Sequence, residues 1–550
     1  MDQTSVNQNF NPLGTRLVFR LGIVSLIASA VVFVSGLVLS WVLYSTSSVN
    51  IETGKGASDY FVITDNYFLT SINENVTVEV EGDSGEEVIL VLGRAADVFP
   101  FVEDFRYTLI TGFQDLNQVS STTGNLSGSV KNQQVQIQNF RQKFINSDMW
   151  ISRSAGAFAT LEYSPGQSNG QNLVFAAFSP PGQAFSMSIS FTRTISSQII
   201  GFFGFFCALF LIIGILLIMV YRRQKPLLVM VLAIVCLVTN VSCTTAPKVK
   251  KPVDDQIGIE YPNLTLSQVQ TIVDRTIGIA DTAHKEKSEK LLEQRFTGPA
   301  LALRKSQQKV NLKLKKISDE SVIPNQLRSV VIDNQVSWPR YFMVITEPTE
   351  NLSSEKMLLY IQESPTDDYK IWAITRLFSG VVLPSFDADV IGTHPIDNKT
   401  FDLRNKPIEV LAQYADLLEK SESSKYFDNF TEDMLQEQMR QQFSKEVESE
   451  ASQKQTFKVV GDSIYGFHSV DGGGLFFGRI DSKWTRDAGK NRLAVAANEE
   501  EDILLGQQAA KQKIEATYEH MVAIYIPPSG STNKFQVFAA ERYPIKVTPK

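Results

Sequence analysis

Cysteine is scarce in this chain, with three in 550 residues. Cys207, Cys236 and Cys243 all fall in or beside apolar blocks, so neither of the long polar regions can be a disulfide-stapled scaffold and each must be held by a hydrophobic core. Histidine is almost as sparse. His284, His394, His468 and His520 are dispersed without an H-x-x-H or H-E-x-x-H spacing, which argues against a metal centre, and no cofactor fingerprint stands elsewhere. Positive charge is also short, 52 Lys and Arg against 59 Asp and Glu for a net charge of -7. A polyanion must be neutralised by Lys and Arg, so nucleic acid is disfavoured and none is expected as a partner.

Charge is missing altogether from three stretches, which the near-zero mean hydropathy of -0.06 conceals. Leu21 to Tyr44 runs 24 residues without a charge and Ile199 to Tyr221 runs 23, each long enough for a helix to cross a hydrocarbon core of roughly 30 Å. Both predict transmembrane helices in contact with the lipid bilayer. Arg16 and Arg20 precede the first; Arg222, Arg223 and Lys225 follow the second. Cytoplasmic flanks carry the excess of Lys and Arg, so residues 45–198 are expected outside the cell. The third block, Leu227 to Val238, is followed by Thr239-Asn240-Val241-Ser242-Cys243. It reads as a lipoprotein-like signal with Cys243 as the lipidated residue, or as a short uncleaved third helix. Asn240 departs from the Leu usual at its position. Either reading places residues 244–550 outside; a re-entrant or cytoplasmic tail is the remaining case, supported by Lys248, Lys250 and Lys251. The blocks hold no charge, the usual mark of a conducting pathway, so a transporter acting alone is disfavoured.

The layout that follows is a cytoplasmic N-terminus (1–20), a first span (21–44), an extracytoplasmic domain (45–198), a second span (199–221), a cytoplasmic turn (222–226), the third apolar segment (227–243) and a linker (244–261). Two α+β units, 262–390 and 407–550, flank a second linker at 391–406. The fold class is thus a multidomain membrane protein with an all-β sandwich and a tandem α+β region.

Period-two alternation supports the sandwich. Val76, Val78 and Val80 alternate with Thr77 and Glu79, and Phe185, Met187, Ile189 and Phe191 alternate with serines. Apolar runs at Val88–Leu92 and Leu173–Phe178 add buried strands, with turn clusters between. Gly166-Gln167-Ser168-Asn169-Gly170 matches G-x-S-x-G, but it sits in a loop leading to a strand. No His occurs between 45 and 198 to act as its base, so it reads as a turn. Arg94 and Asp97 most simply cap and anchor a short helix that starts after the strand; an exposed recognition pair is the alternative. The segments Gly93-Arg94-Ala95-Ala96-Asp97-Val98 and Ser147-Asp148-Met149-Trp150 resemble those of an uncharacterised actinobacterial membrane-protein family. That resemblance covers about residues 15–225 and implies a β-rich extracytoplasmic domain between two spans, with no activity attached.

From 262 onward, charged helices precede strands. Val269, Ile272, Val273, Ile277 and Ala280 recur at helical spacing, and strands follow at Tyr341–Thr346, Met357–Gln362 and Lys370–Leu377. The same order returns after Pro407-Ile408, with Leu411, Tyr414, Ala415 and Leu418 on one helix and strands closing at Phe535–Ala540. Ile371–Arg376 aligns with Val537–Arg542, each ending its unit. Helices on a curved antiparallel sheet in this order resemble the nuclear-transport-factor-2-like (cystatin-like) fold, over about 262–390 and 405–546. Fold alone does not set activity there.

The polar candidates for a pocket are Tyr465, His468 and Asp471, with Tyr518 and His520 at equal parity on one strand. A buried, satisfied Tyr518–His520 pair is the competing reading. Asp471-Gly472-Gly473-Gly474 lacks a following Lys-Ser/Thr and reads as a hairpin turn. Trp372 and Trp484 read as core aromatics, and Glu499–Asp502 as a solvated loop. The functional expectation is a non-enzymatic, membrane-anchored envelope protein whose outer domains bind another envelope protein or a cell-wall polymer. Two alternatives stand beside it: a small-molecule or hydrolase/isomerase pocket in one α+β unit, and an accessory subunit of a transport or secretion complex.

Overall fold

The computed structural model describes residues 12–43, 46–52, 61–65, 68–69, 75–113, 119–124, 133–165, 171–179, 185–192, 197–222, 261–349, 354–388, 391–443, 451–506 and 511–550. Cys236, Cys243, the G-x-S-x-G loop and the third apolar block lie outside them. The chain forms two compact units: Met1–Ala95 with Asp104–Gly128 and Arg153–Gln256, and Ala96–Glu103 with Ser129–Ser152 and Ile257–Lys550.

In the first unit, α1 (Pro12–Leu43) runs antiparallel to α4 (Ser197–Arg222). Small residues set how closely they approach. A Cβ on Gly214 would come within 2.8 Å of the Leu26 side chain and 3.0 Å of the Gly22 carbonyl oxygen, so a larger residue would force the helices apart. Ser25 and Ser29 donate to the Phe210 and Cys207 carbonyls at 2.7 and 2.9 Å, satisfying their hydroxyls within the pair. Leu21, Val24, Ile27, Val31, Val34 and Val38 point outward and are exposed. Among the described residues, one helix is long and apolar enough to cross a membrane, over Arg16–Val38; the apolar stretch of α4, Phe203–Met219, is shorter.

Ten strands follow the expected alternation only in part. β1 (Thr46–Glu52), β10 (Phe185–Thr192), β3 (Val76–Gly82) and β8 (Phe158–Tyr163) form one antiparallel sheet in that order. Val76, Val78, Val80, Phe185, Met187 and Ile189 are buried on one face of it, as their period-two spacing requires. The second sheet is ordered β6 (Val119–Gly124), β5 (Tyr107–Phe113), β2 (Phe61–Thr64), β9 (Leu173–Phe178), β4 (Val88–Arg94), β7 (Ser152–Gly156). Its β2 and β5 are parallel, and β4 and β9 are buried along their whole length. Residues 45–198 are therefore not all-β: besides the strands they contain α2 (Ala95–Phe101) and α3 (Gln133–Asn146). The latter went unread because Gln, Asn and charged residues dominate it and leave a weak apolar stripe.

The second unit is built on one nine-stranded sheet. Three helices come first, α5 (Leu266–Lys285), α6 (Glu289–Leu292) and α7 (Gly298–Leu314), then β11 (Leu327–Ile332), β12 (Arg340–Thr346), β13 (Lys356–Gln362) and β14 (Lys370–Leu377). After the two-residue β15 (Pro395–Ile396) come α8 (Pro407–Lys420), α9 (Met434–Phe443), β16 (Ser452–His468), β17 (Gly474–Asp487), α10 (Glu499–Leu505), β18 (Lys513–Ile526) and β19 (Gln536–Pro549). Helices thus precede four antiparallel strands twice, the second time with α10 between β17 and β18; the helix-before-strand order is as expected, whereas β11 and α10 were not expected. The sheet order is β11-β12-β13-β14-β19-β18-β17-β16-β15. The two closing strands are neighbours, Arg376 opposite Ala540 and Leu377 opposite Ala539, so the sheet is continuous, and residues 391–406, expected as a linker, contribute its edge strand β15.

Strand periodicity divides two cores on β18. Met521, Ala523 and Tyr525 join the core capped by α5 and α7, whereas Val522, Ile524 and Ile526 join the core under α8 and α9. Helix α8 lies close to the sheet because Gly478 has no side chain; a Cβ there would meet Leu411 Cδ2 at 2.7 Å.

Candidate functional site

The pocket candidates do not converge. Tyr518 and His520 share one face of β18, as their parity requires, and His520 Nε2 lies 2.8 Å from Ser482 Oγ with its ring against Phe457. Burial, with Arg542 adding to it, holds the imidazole pKa well below its ordinary value, so His520 is neutral. The Tyr518 hydroxyl donates to Glu501 Oε1, Arg486 pairs with Glu501 Oε2, and the Arg542 guanidinium stacks 3.6 Å from the Tyr518 ring centroid. Burial raises the Tyr518 pKa. A high-pKa phenol bonded to a carboxylate and a buried neutral imidazole are poorly matched for proton exchange near neutrality.

Tyr465 belongs to the other core, edge-on to Tyr341 and Trp372 at 5.5 and 5.2 Å. His468 stands at the end of β16, 3.7 Å from Asp402. Asp471 lies in the β16–β17 turn, accepting from Ser469 Oγ and the Tyr525 hydroxyl at 2.5 Å each, with Gly472 at φ +82° as a hairpin turn demands. Glu499–Asp502, read as a solvated loop, forms the first turn of α10. Asn498 caps it through Glu501 N–H at 2.9 Å. The turn points Glu501 inward to full burial, where Tyr518 and Arg486 receive it. Among the described residues no group of three or more His, Cys, Asp and Glu could hold a metal ion.

The second unit also buries aspartates against arginines at two further centres. Asp97, in the first turn of α2, is 0% exposed and paired with Arg340 NH1, itself 1% exposed. Arg340 opens β12; its guanidinium stacks 3.9 Å from the Trp338 ring centroid and donates to the Val336 and Ala96 carbonyls at 2.8 and 3.3 Å. Arg94 takes a different path, its Nε donating to Gln171 Oε1 at 2.8 Å in the first unit. Arg94 and Asp97 are therefore divided between the two units and Asp97 is buried, so the alternative of an exposed recognition pair does not match their placement.

Asp148, just after α3, is the second centre. Its Oδ1 accepts from Arg275 NH1 at 2.7 Å and Arg295 NH2 at 3.2 Å, and its Oδ2 from Arg295 NH1 and from Tyr369 N–H at 3.1 Å. Burial works against the Arg295 charge, but Asp148 outweighs it and raises the guanidinium pKa. Gln268 on α5, fixed by a capping box with Thr265, donates to the Asp148 and Met149 carbonyls at 3.2 and 2.9 Å. Trp150, Phe101 and Phe144 pack together with ring centroids 5.2 to 5.6 Å apart.

A third buried carboxylate, Asp333, accepts from Asn263 Nδ2 at 2.6 Å and Tyr341 N–H at 3.0 Å. Burial raises its pKa to about 7 against those hydrogen bonds and the nearby Arg340. Sequence reasoning passed over Asp148, Arg295, Arg340 and Asp333 as partners. Asp97 and Arg340 are separated by 243 positions, and no local pattern marks such a pairing; Asp97 and Asp148 lie in the two short segments that carry the family resemblance.

The second unit is thus a large antiparallel sheet packed with helices, in which arginines hold buried aspartates from distant segments. The family model that matches it, over residues 260–546, is DUF8094, described as a domain of unknown function. The match covers just over half of the chain, and the chain belongs to this family. No curated protein and no solved structure matches it.

Proposed function

We propose that the chain is a non-enzymatic, membrane-anchored envelope protein that presents its β-rich region and its DUF8094 region outside the cell to bind another envelope protein or a cell-wall polymer. The observation that carries this reading is the outward apolar surface of α1. In water that surface would be a large exposed patch, whereas in lipid it is matched to its solvent. The pairing of α4 along α1 supports a hairpin with both basic flanks on the cytoplasmic side. Beyond the second helix, Leu227–Cys243 would return the chain outward, as a third helix or as a lipidated start at Cys243. The repeated order of helices and four strands supports two nuclear-transport-factor-2-like copies merged along their closing strands.

A single pocket assembled from Tyr465, His468, Tyr518 and His520 has less support, since these side chains occupy both faces and one end of the sheet. Membrane fractionation tests the anchor. The full-length protein is expected to resist alkaline carbonate extraction, and protease added to intact cells should cleave within 261–550. Release by carbonate, or protection of 261–550 until the membrane is opened, would overturn the reading.

A further inference from the structure

The second unit is assembled from three pieces of chain, Ala96–Glu103, Ser129–Ser152 and Ile257–Lys550. The first two precede α4 and the third follows it. We propose that the DUF8094 region is a receptor for these two aspartate-bearing segments, and that it holds them without needing the peptide link through residues 223–256. The inference deepens the binding-module reading by naming a partner, the chain's own N-terminal half, and it rests on that reading for the membrane anchor alone.

Two sockets carry the recognition. The Arg340 socket is preorganised from the DUF8094 side, because the guanidinium stacks on Trp338 and donates to Val336 O. It then reads both the Asp97 carboxylate and the Ala96 carbonyl. The Arg275–Arg295 socket takes all four of its contacts to the Asp148 carboxylate from the DUF8094 region, with Tyr369 N–H supplying one. Gln268 reads the backbone beside it. Each aspartate side chain is fully buried, so separating the pieces would leave charges that must be resolvated on both sides.

The two segments also come as one ligand. Phe101 from the first packs on Phe140, Phe144 and Trp150 from the second, with centroids 5.2 to 5.6 Å apart. The aromatic cluster fixes the spacing between Asp97 and Asp148, so the sockets bind a preformed pair and lose little conformational entropy on docking. The covalent link then contributes effective concentration, while the specific contacts lie in the sockets.

A site-specific protease sequence inserted between Lys251 and Pro252 of the full-length protein provides the test. After complete cleavage in mild detergent, the two pieces are expected to co-elute as one species. In the Asp97→Asn, Asp148→Asn double variant the pieces should separate, with affinity weakened by about a hundredfold or more. The charge exchange Asp97→Arg with Arg340→Asp should recover part of that loss, which a merely misfolded variant would not. Glu355→Ala, at an exposed pair with Arg328, should leave co-elution unchanged. Separation of the cleaved wild-type pieces, or co-elution of the double variant at wild-type affinity, would overturn the proposal. Neither result bears on the anchor, which carbonate extraction of the piece containing α1 reports separately.

Discussion

Replacing Asp148 with asparagine keeps the shape of the side chain and removes its charge. The carboxylate accepts four hydrogen bonds, two on each oxygen. An asparagine retains one oxygen, and its NH2 group must then face two donors with nothing to accept them. Two bonds are lost, at least one of them from a guanidinium, and bonds to charged groups contribute roughly 1.5–3 kcal/mol each. Arg295 is left buried with a weakened counter-charge, and breaking such a pair costs about 3–5 kcal/mol in general. Two features favour the lower end: Asp368 stands 3.7 Å from Arg295 NH2, and Arg275 is 27% exposed and can turn to water. The expected destabilisation is therefore about 3 kcal/mol. Urea denaturation followed by tryptophan fluorescence reads it, since Trp150, Trp338, Trp372 and Trp484 all lie in the second unit. Glu355→Ala at the exposed pair serves as the control, with an expected effect within about 1 kcal/mol. A loss below about 1 kcal/mol for Asp148→Asn would refute the claim that this carboxylate neutralises a buried guanidinium.

Asp333 and Glu519 both have folded-state pKa values raised to about 7, chiefly by burial. The folded state therefore binds more protons than the unfolded one between the ordinary carboxylate range and pH 7. Their contribution to stability is fully present below that range and lost as pH rises through 7. Thermal denaturation from pH 4.5 to 8 should show this decline, and Asp333→Asn should flatten it; an equally steep slope in the variant would count against the assignment. His520 is expected to stay neutral, so its ring-proton resonances should not move between pH 8 and pH 5, whereas a midpoint near the usual imidazole value would contradict its burial. Ser29 Oγ lies 3.4 Å from Cys207 Sγ, so Ser29→Cys should form a disulfide with Cys207 on oxidation in a Cys236→Ser, Cys243→Ser background. Adding Gly214→Leu should suppress that crosslink by separating the helices, and equal crosslinking with and without it would refute the close approach at Gly214.

Elements with one dominant period were legible in the chain itself. The alternation of Phe185, Met187 and Ile189 marks a strand because adjacent side chains point to opposite faces, and the helical recurrence of Val269, Ile272 and Val273 marks α5 for an equally local reason. Equal parity likewise placed Tyr518 and His520 on one face. Where polar side chains point in the fold was not legible, and Glu501 shows why. A run of four acidic residues reads as solvated, yet the Asn498 cap starts a helix whose third residue turns into the sheet toward Tyr518 and Arg486. The pocket failed for a similar reason: Tyr465 lies on a different strand, and its face relative to Tyr518 depends on the register between strands and the irregularity between Val460 and Tyr465.

By itself, the amino-acid sequence determined where charge is absent, and with it the apolar helix near the N-terminus. It also determined that helices precede strands in both halves of the DUF8094 region, because periodicity and hydropathy act between residues a few positions apart. Only the tertiary structure decided that the two strand sets close into one sheet through β14 and β19, and that Asp97 and Asp148 meet Arg340 and Arg295. A buried aspartate requires a counter-charge, but nothing local says which arginine, more than a hundred residues away, the folded chain will bring to it.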